Sequence, residues 1–148
     1  MSSIAQTPDK HQFKNKYGSV SLERNGRIIV ASFVGAINAG VLKYFSEHLE
    51  LLLGELKGRP WCYLNNSPEA MVGTEEAEAV LIESGRLGHK WGCVQAAYVL
   101  TSPVAIAQTK RIRENIGIEQ PLSDVLFSNE DDAFQYLTAF LDQLPESS

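Results

Sequence analysis

Ile28-Ile29-Val30-Ala31-Ser32-Phe33-Val34 is the stretch on which the fold turns, with only Ser32 interrupting its apolar run. A strand with one wet face alternates polar and apolar residues. A run that is β-branched and apolar almost throughout is covered on both faces, as in a parallel or mixed sheet flanked by helices. Just before it, Ser19-Val20-Ser21-Leu22-Glu23 alternates in the manner of a half-buried strand. Asn25-Gly26 lies between the two, a pair that accepts the positive φ angles of a type I′ turn. This predicts an antiparallel hairpin, an edge strand beside a central one. On the other side, Asn38 suits a helix cap. Leu42, Phe45, Leu49, Leu52 and Leu56 then recur at spacings of three and four, one apolar helix stripe. Gly58 and Pro60 end that helix.

The strand, cap, helix order then repeats. Trp61-Cys62-Tyr63-Leu64 is a short strand, and Thr74 caps a helix with Glu75, Glu76 and Glu78 at its start. Arg86, His89 and Lys90 at its end complete a charge placement that matches the helix dipole. Val94–Leu100 is a strand, and Ser102-Pro103 opens a helix lined by Ile106, Thr109, Ile112 and Ile116 and closed by Gly117. Asp124-Val125-Leu126-Phe127 reads as a fifth strand. Ser128 with Asp131 resembles a capping box for a last helix carrying Phe134, Leu137, Phe140 and Leu141. The expectation is a single α/β domain over 17–148, with a five-stranded mixed sheet and about four helices. Its N-terminal hairpin is antiparallel and its remaining strands parallel. Residues 1–16 show no periodicity and read as a flexible N-terminal arm.

The 148 residues carry 13 Lys and Arg against 18 Asp and Glu, a formal charge of -5. No basic face stands out, so phosphate neutralisation and a nucleic-acid partner are not expected. The polar start has no apolar signal segment, and no apolar run reaches membrane-spanning length, so the expectation is cytoplasmic and not membrane-spanning. The cysteines, Cys62 and Cys93, fit inert buried thiols in a reducing compartment.

In a parallel sheet the connections leaving the C-terminal ends of the strands gather on one rim, where ligands and partners meet such folds. Asn38, Ser67, Thr74, Ser102 and Ser128 belong to that rim, all but Ser67 as helix caps. The longest connection, Asn65-Asn66-Ser67-Pro68-Glu69-Ala70-Met71-Val72-Gly73, leads to Thr74. Met71 and Val72 are apolar in a polar loop. They either fold back on the core or form a lid or contact patch. The candidate partner- or ligand-binding residues are Asn65, Asn66, Ser67, Met71, Val72 and Thr74. His11, His48 and His89 lie in separate elements with no metal spacing, and His89 and Lys90 fall at the far end of their helix from this loop. No nucleophile with a base, no dinucleotide fingerprint in Gly35-Ala36-Ile37-Asn38-Ala39-Gly40 and no phosphate-binding loop is present, so neither catalytic residues nor a cofactor is expected. An open sheet edge makes a homodimer an option.

The hairpin feeding successive crossovers and the closing Phe127-Ser128-Asn129-Glu130-Asp131-Asp132-Ala133-Phe134-Gln135-Tyr136-Leu137 resemble the SpoIIAA-like group, over about residues 17–144. That group includes the STAS domains and stand-alone bacterial relatives of STAS/Sec14 type. The resemblance implies a non-enzymatic regulatory module that docks a protein partner. It also implies a phosphorylatable serine after the third strand, for which Ser67 is the candidate. Where the family carries aspartate-x-serine-glycine, this chain has Asn65-Asn66-Ser67-Pro68. The alternative is a carrier or sensor for a small apolar, lipid-like ligand with a pocket under the 65–73 loop.

Overall fold

The computed structural model describes residues 10–145. Strands β1 (Lys10–Lys14), β2 (Gly18–Asn25), β3 (Ile28–Gly35), β4 (Trp61–Asn66) and β5 (Cys93–Val99) form one sheet in the order β1-β2-β3-β4-β5. The first three pair antiparallel, and β3, β4 and β5 pair parallel. Helices α1 (Ala39–Leu56), α2 (Glu75–Lys90), α3 (Pro103–Ile116) and α4 (Glu130–Asp142) complete the domain. The expected mixed α/β sheet with four helices is present.

Burial of β3 follows the period of two that side chains of a strand must obey. Ile29, Ala31 and Phe33 join the core under α1, whereas Ile28 and Val30 join a second core under α4. This two-sided burial is why the run lacks polar alternation. The α1 stripe packs as read, with Leu42, Phe45, Leu49, Leu52 and Leu56 all buried. Asn38, Thr74 and Ser102 cap α1, α2 and α3 through side-chain oxygens that accept the Val41, Ala77 and Ala105 N–H groups.

Four expectations need correction. Lys10–Lys14, placed in a flexible arm, forms the edge strand, so β2 is not the margin of the sheet. Its inward side chains, His11 and Phe13, alternate with exposed Gln12 and Lys14, a half-wet pattern that polar composition disguises. Residues 1–9 of the arm lie outside the described residues. Asp124–Phe127 is not a fifth strand: Leu122–Val125 is a 3-10 turn, and only a bridge between Tyr98 and Leu126 touches the sheet. Its apolar side chains are inside, but they reach the core through a tight turn after Pro121. The cap of α4 is Asn129, one residue beyond Ser128, accepting the Asp132 N–H at 2.8 Å. The β2–β3 turn is also displaced by one residue, with Asn25 paired to Ile28 and Gly26 at φ 62°.

Candidate functional site

A cavity of about 110 Å³ lies between the sheet and helices α2 and α3. Its floor is the alternate set of strand residues that faces α1 to α3, including Phe33, Tyr63, Ala96 and Tyr98. The space exists because the C-terminal half of α2 faces it mostly with small residues. Beside Leu81, the α2 residues Ser84, Gly85 and Gly88 line the cavity where a packed helix would carry larger side chains. At Gly85, α2 approaches α3 so closely that an added methyl would collide with Ile116 Cδ1. At Gly88 a methyl would touch the Trp61 ring at an ordinary 3.4 Å.

One wall is the loop that follows β4. Ser67 is 2% exposed, and its hydroxyl accepts the Phe33 N–H at 2.9 Å while donating to Asn65 Oδ1. The Ser67 hydroxyl is thus walled off from solvent in this arrangement. The serine is a buried link that holds the loop to β3, with its N–H donated to the Val99 carbonyl. Ala70 and Met71 continue along the end of β3: Gly35 N–H donates to Glu69 O, and Met71 N–H donates to Gly35 O at 3.0 Å. Gln108 on α3 clamps the far end. Its amide accepts the Gly73 N–H at 2.9 Å and donates to the Gly73 carbonyl at 3.0 Å. Asn65, Ser67 and Met71 thus reach the cavity, Asn66 is half-buried at the end of β4, and Val72 and Thr74 remain on the rim. Met71 is the informative residue: it lines the cavity and is 59% exposed.

Sequence reasoning separated His89 from this loop by the length of α2. The cavity extends from Met71 under the C-terminal half of that helix, so His89 also lines it. Tyr63, Tyr98 and Gln108 were missed as well. The available signal was the run of small residues at 84, 85 and 88 along α2. Burial drives both tyrosine phenols well above their ordinary range, and for Tyr98 the neighbouring Arg113 partly opposes the shift. Burial also pushes the Cys93 thiol up to about 12, and that of Cys62, in the core under α4, to about 12. Both thiols stay protonated at neutral pH, so neither is an activated nucleophile. Among the described residues no three His, Cys, Asp or Glu side chains converge as a metal site, and no helix is long and apolar enough to cross a membrane.

No protein-family model and no curated protein matches the chain. Solved structures do. An uncharacterised protein of the DUF3478 family with a SpoIIAA-like fold, from Shewanella loihica PV-4, superposes with a TM-score of 0.62 at 16% identity, covering 84% of this chain and 98% of that one. SLC26A9 matches at 0.59 and 12% identity over 89% of this chain and 25% of its own. An anti-sigma factor antagonist from Mycobacterium paratuberculosis matches at 0.50 and 15% identity, covering 79% of this chain and 91% of its own. The identities are low enough that these likenesses speak to architecture alone. The described residues form one α/β domain with the SpoIIAA-like fold.

Proposed function

We propose that the protein is a non-enzymatic regulatory module of the STAS-like kind, acting in the cytoplasm, which docks a protein partner through the Asn65–Thr74 loop. Occupancy of the cavity by a small apolar ligand adjusts that loop. One observation carries the reading: Met71 is shared between the cavity wall and the outer surface. A ligand that presses on Met71 from within changes what a partner meets outside, and a partner that covers Met71 changes the cavity. Coupling of this type requires only that the ligand prefer one loop arrangement over another. The likeness to an anti-sigma factor antagonist supports a protein-binding role. The protonated thiols and the cavity without carboxylates support the non-enzymatic part.

The test is affinity purification of the tagged protein from its own cells, with Met71→Asp in parallel, followed by native mass spectrometry. A partner enriched by the wild type and lost from the variant is the expected result. Equal recovery of that partner by both forms overturns the docking surface. An apolar ligand held by the protein with no partner enriched favours the second reading, a simple carrier, which rests on the cavity alone.

A further inference from the structure

We infer that the cavity takes a compact apolar acid, a ring of about benzene size bearing one carboxylate, whose head group receives the Tyr63 and Tyr98 hydroxyls on the side backed by Arg113. This deepens the proposal above and rests on its reading of the cavity as a ligand site.

Size comes first. A cavity of about 110 Å³ is slightly smaller than an engineered apolar cavity of about 150 Å³ that holds benzene. A single ring matches this space. Most of the lining is apolar, with Phe33, Leu81, Ala96, Leu100 and Ile112 supplying contact area.

The polar groups then specify the head. Tyr98 is 7% exposed and lines the cavity, as does Tyr63, whose ring meets it edge-on at 6.4 Å between centroids. The Tyr98 phenol oxygen accepts from the Arg113 guanidinium, which leaves its O–H free to donate, and no hydrogen bond among the described residues takes up the Tyr63 phenol. Both tyrosines line the cavity, which offers their O–H groups an acceptor's place. Their raised pKa values keep them protonated, hence donors.

Charge selects between a neutral acceptor and an anion. No Asp or Glu lines the cavity. Arg113 is 3% exposed, with its guanidinium 5.3 Å from the centre of the Tyr98 ring. Its Nη2 donates to the Gln120 carbonyl at 2.8 Å, and among the described residues it makes no ion pair. His89, which lines the cavity where Arg113 does not, loses basicity through burial and then through Arg113, so the Arg113 charge reaches this wall from behind it. A buried cation without a carboxylate partner is costly. Arg113 lies behind Tyr98 and does not line the cavity, so a carboxylate held by the phenols would sit in its field without touching it.

Benzoate and its neutral near-isostere benzyl alcohol are the probes, titrated separately into the wild type and Tyr98→Phe while the tyrosine-ring and alanine-methyl NMR signals are followed. Hydrogen bonds to charged groups predict benzoate binding roughly tenfold or more tighter than benzyl alcohol. Tyr98→Phe removes that preference and leaves benzyl alcohol binding within about twofold of wild type, since the apolar wall is intact. If Tyr98→Phe fails to fold, Tyr63→Phe carries the same expectation. Benzyl alcohol binding as tightly as benzoate overturns the acid assignment while the cavity reading stands. If neither probe moves the Tyr98 or Ala96 signals, the ligand site itself falls, and this inference with it.

Discussion

Gly88 and Gly85 offer a paired perturbation of the helix that roofs the cavity. Gly88→Ala gains about 1 kcal/mol of helix propensity. Its new methyl would lie 3.4 and 3.6 Å from Trp61 ring carbons and 4.0 Å from Cys93 Cβ, ordinary contact distances. Partial burial of one methyl adds up to about 0.8 kcal/mol. Together these predict about 1–1.5 kcal/mol of stabilisation, a rise in Tm of roughly 3–5 °C for a domain of this size. Gly85→Ala has the same propensity gain, but its methyl collides with Ile116 Cδ1. Forcing that side chain off its rotamer costs about 0.5–1.5 kcal/mol, so the net change is close to zero. Ile116→Val removes the colliding atom, and in that background Gly85→Ala should recover most of its gain. Thermal and urea unfolding of the four variants measure the coupling directly. Equal stabilisation at both glycines, with no coupling to Ile116, would refute the α2–α3 packing on which the cavity depends.

Three other outcomes follow from the same geometry. Ser67→Ala orphans the buried Phe33 N–H and should cost about 1–3 kcal/mol in urea unfolding; Ser67→Asp, which puts a carboxylate in that space, should cost more, and an unperturbed Ser67→Asp would refute the buried link. Gln108→Leu removes both bonds to Gly73, so hydrogen exchange of the Met71–Gly73 amides should accelerate while the amides of β3 and β4 keep their protection. The third concerns pH: His48 Nδ1 lies 2.8 Å from His11 Nδ1, and burial first, then His11, lower the His48 pKa below 6.5 against an opposing pull from Glu47. Below 6.5 the unfolded chain takes up a proton that the folded chain refuses, so stability should fall as pH drops from there to the lower folded value. His11→Gln should flatten that fall in urea midpoints between pH 7.5 and 5, and an unchanged slope would dismiss the pair.

How much of this was legible in the sequence depended on which atoms decided each feature. The Ile28–Val34 run could be read because burial on both faces leaves a composition that few other environments share. The caps at Asn38, Thr74 and Ser102 were legible because capping is local chemistry, set within three residues. Strand β1 was not, since its burial comes from distant α1: Phe13 stacks on Tyr44 at 5.4 Å, and Tyr44 on His48 at 3.8 Å. The 124–127 segment misled because its apolar side chains are buried without a ladder to hold them as a strand. Ser67 was placed in the right loop, but its burial depends on the Phe33 N–H more than 30 residues away. The cavity was hardest to foresee, because it consists of atoms that α2 lacks.

Methionine-methyl NMR puts the link between cavity and rim to its most direct test. The chain has two methionines, and Met71→Leu identifies the Met71 signal. Titration with benzoate should shift the Met71 methyl along the same saturation curve as the Tyr98 ring signals. Saturation of Tyr98 with Met71 unmoved would mean that the cavity fills without the surface loop sensing it, which contradicts the account.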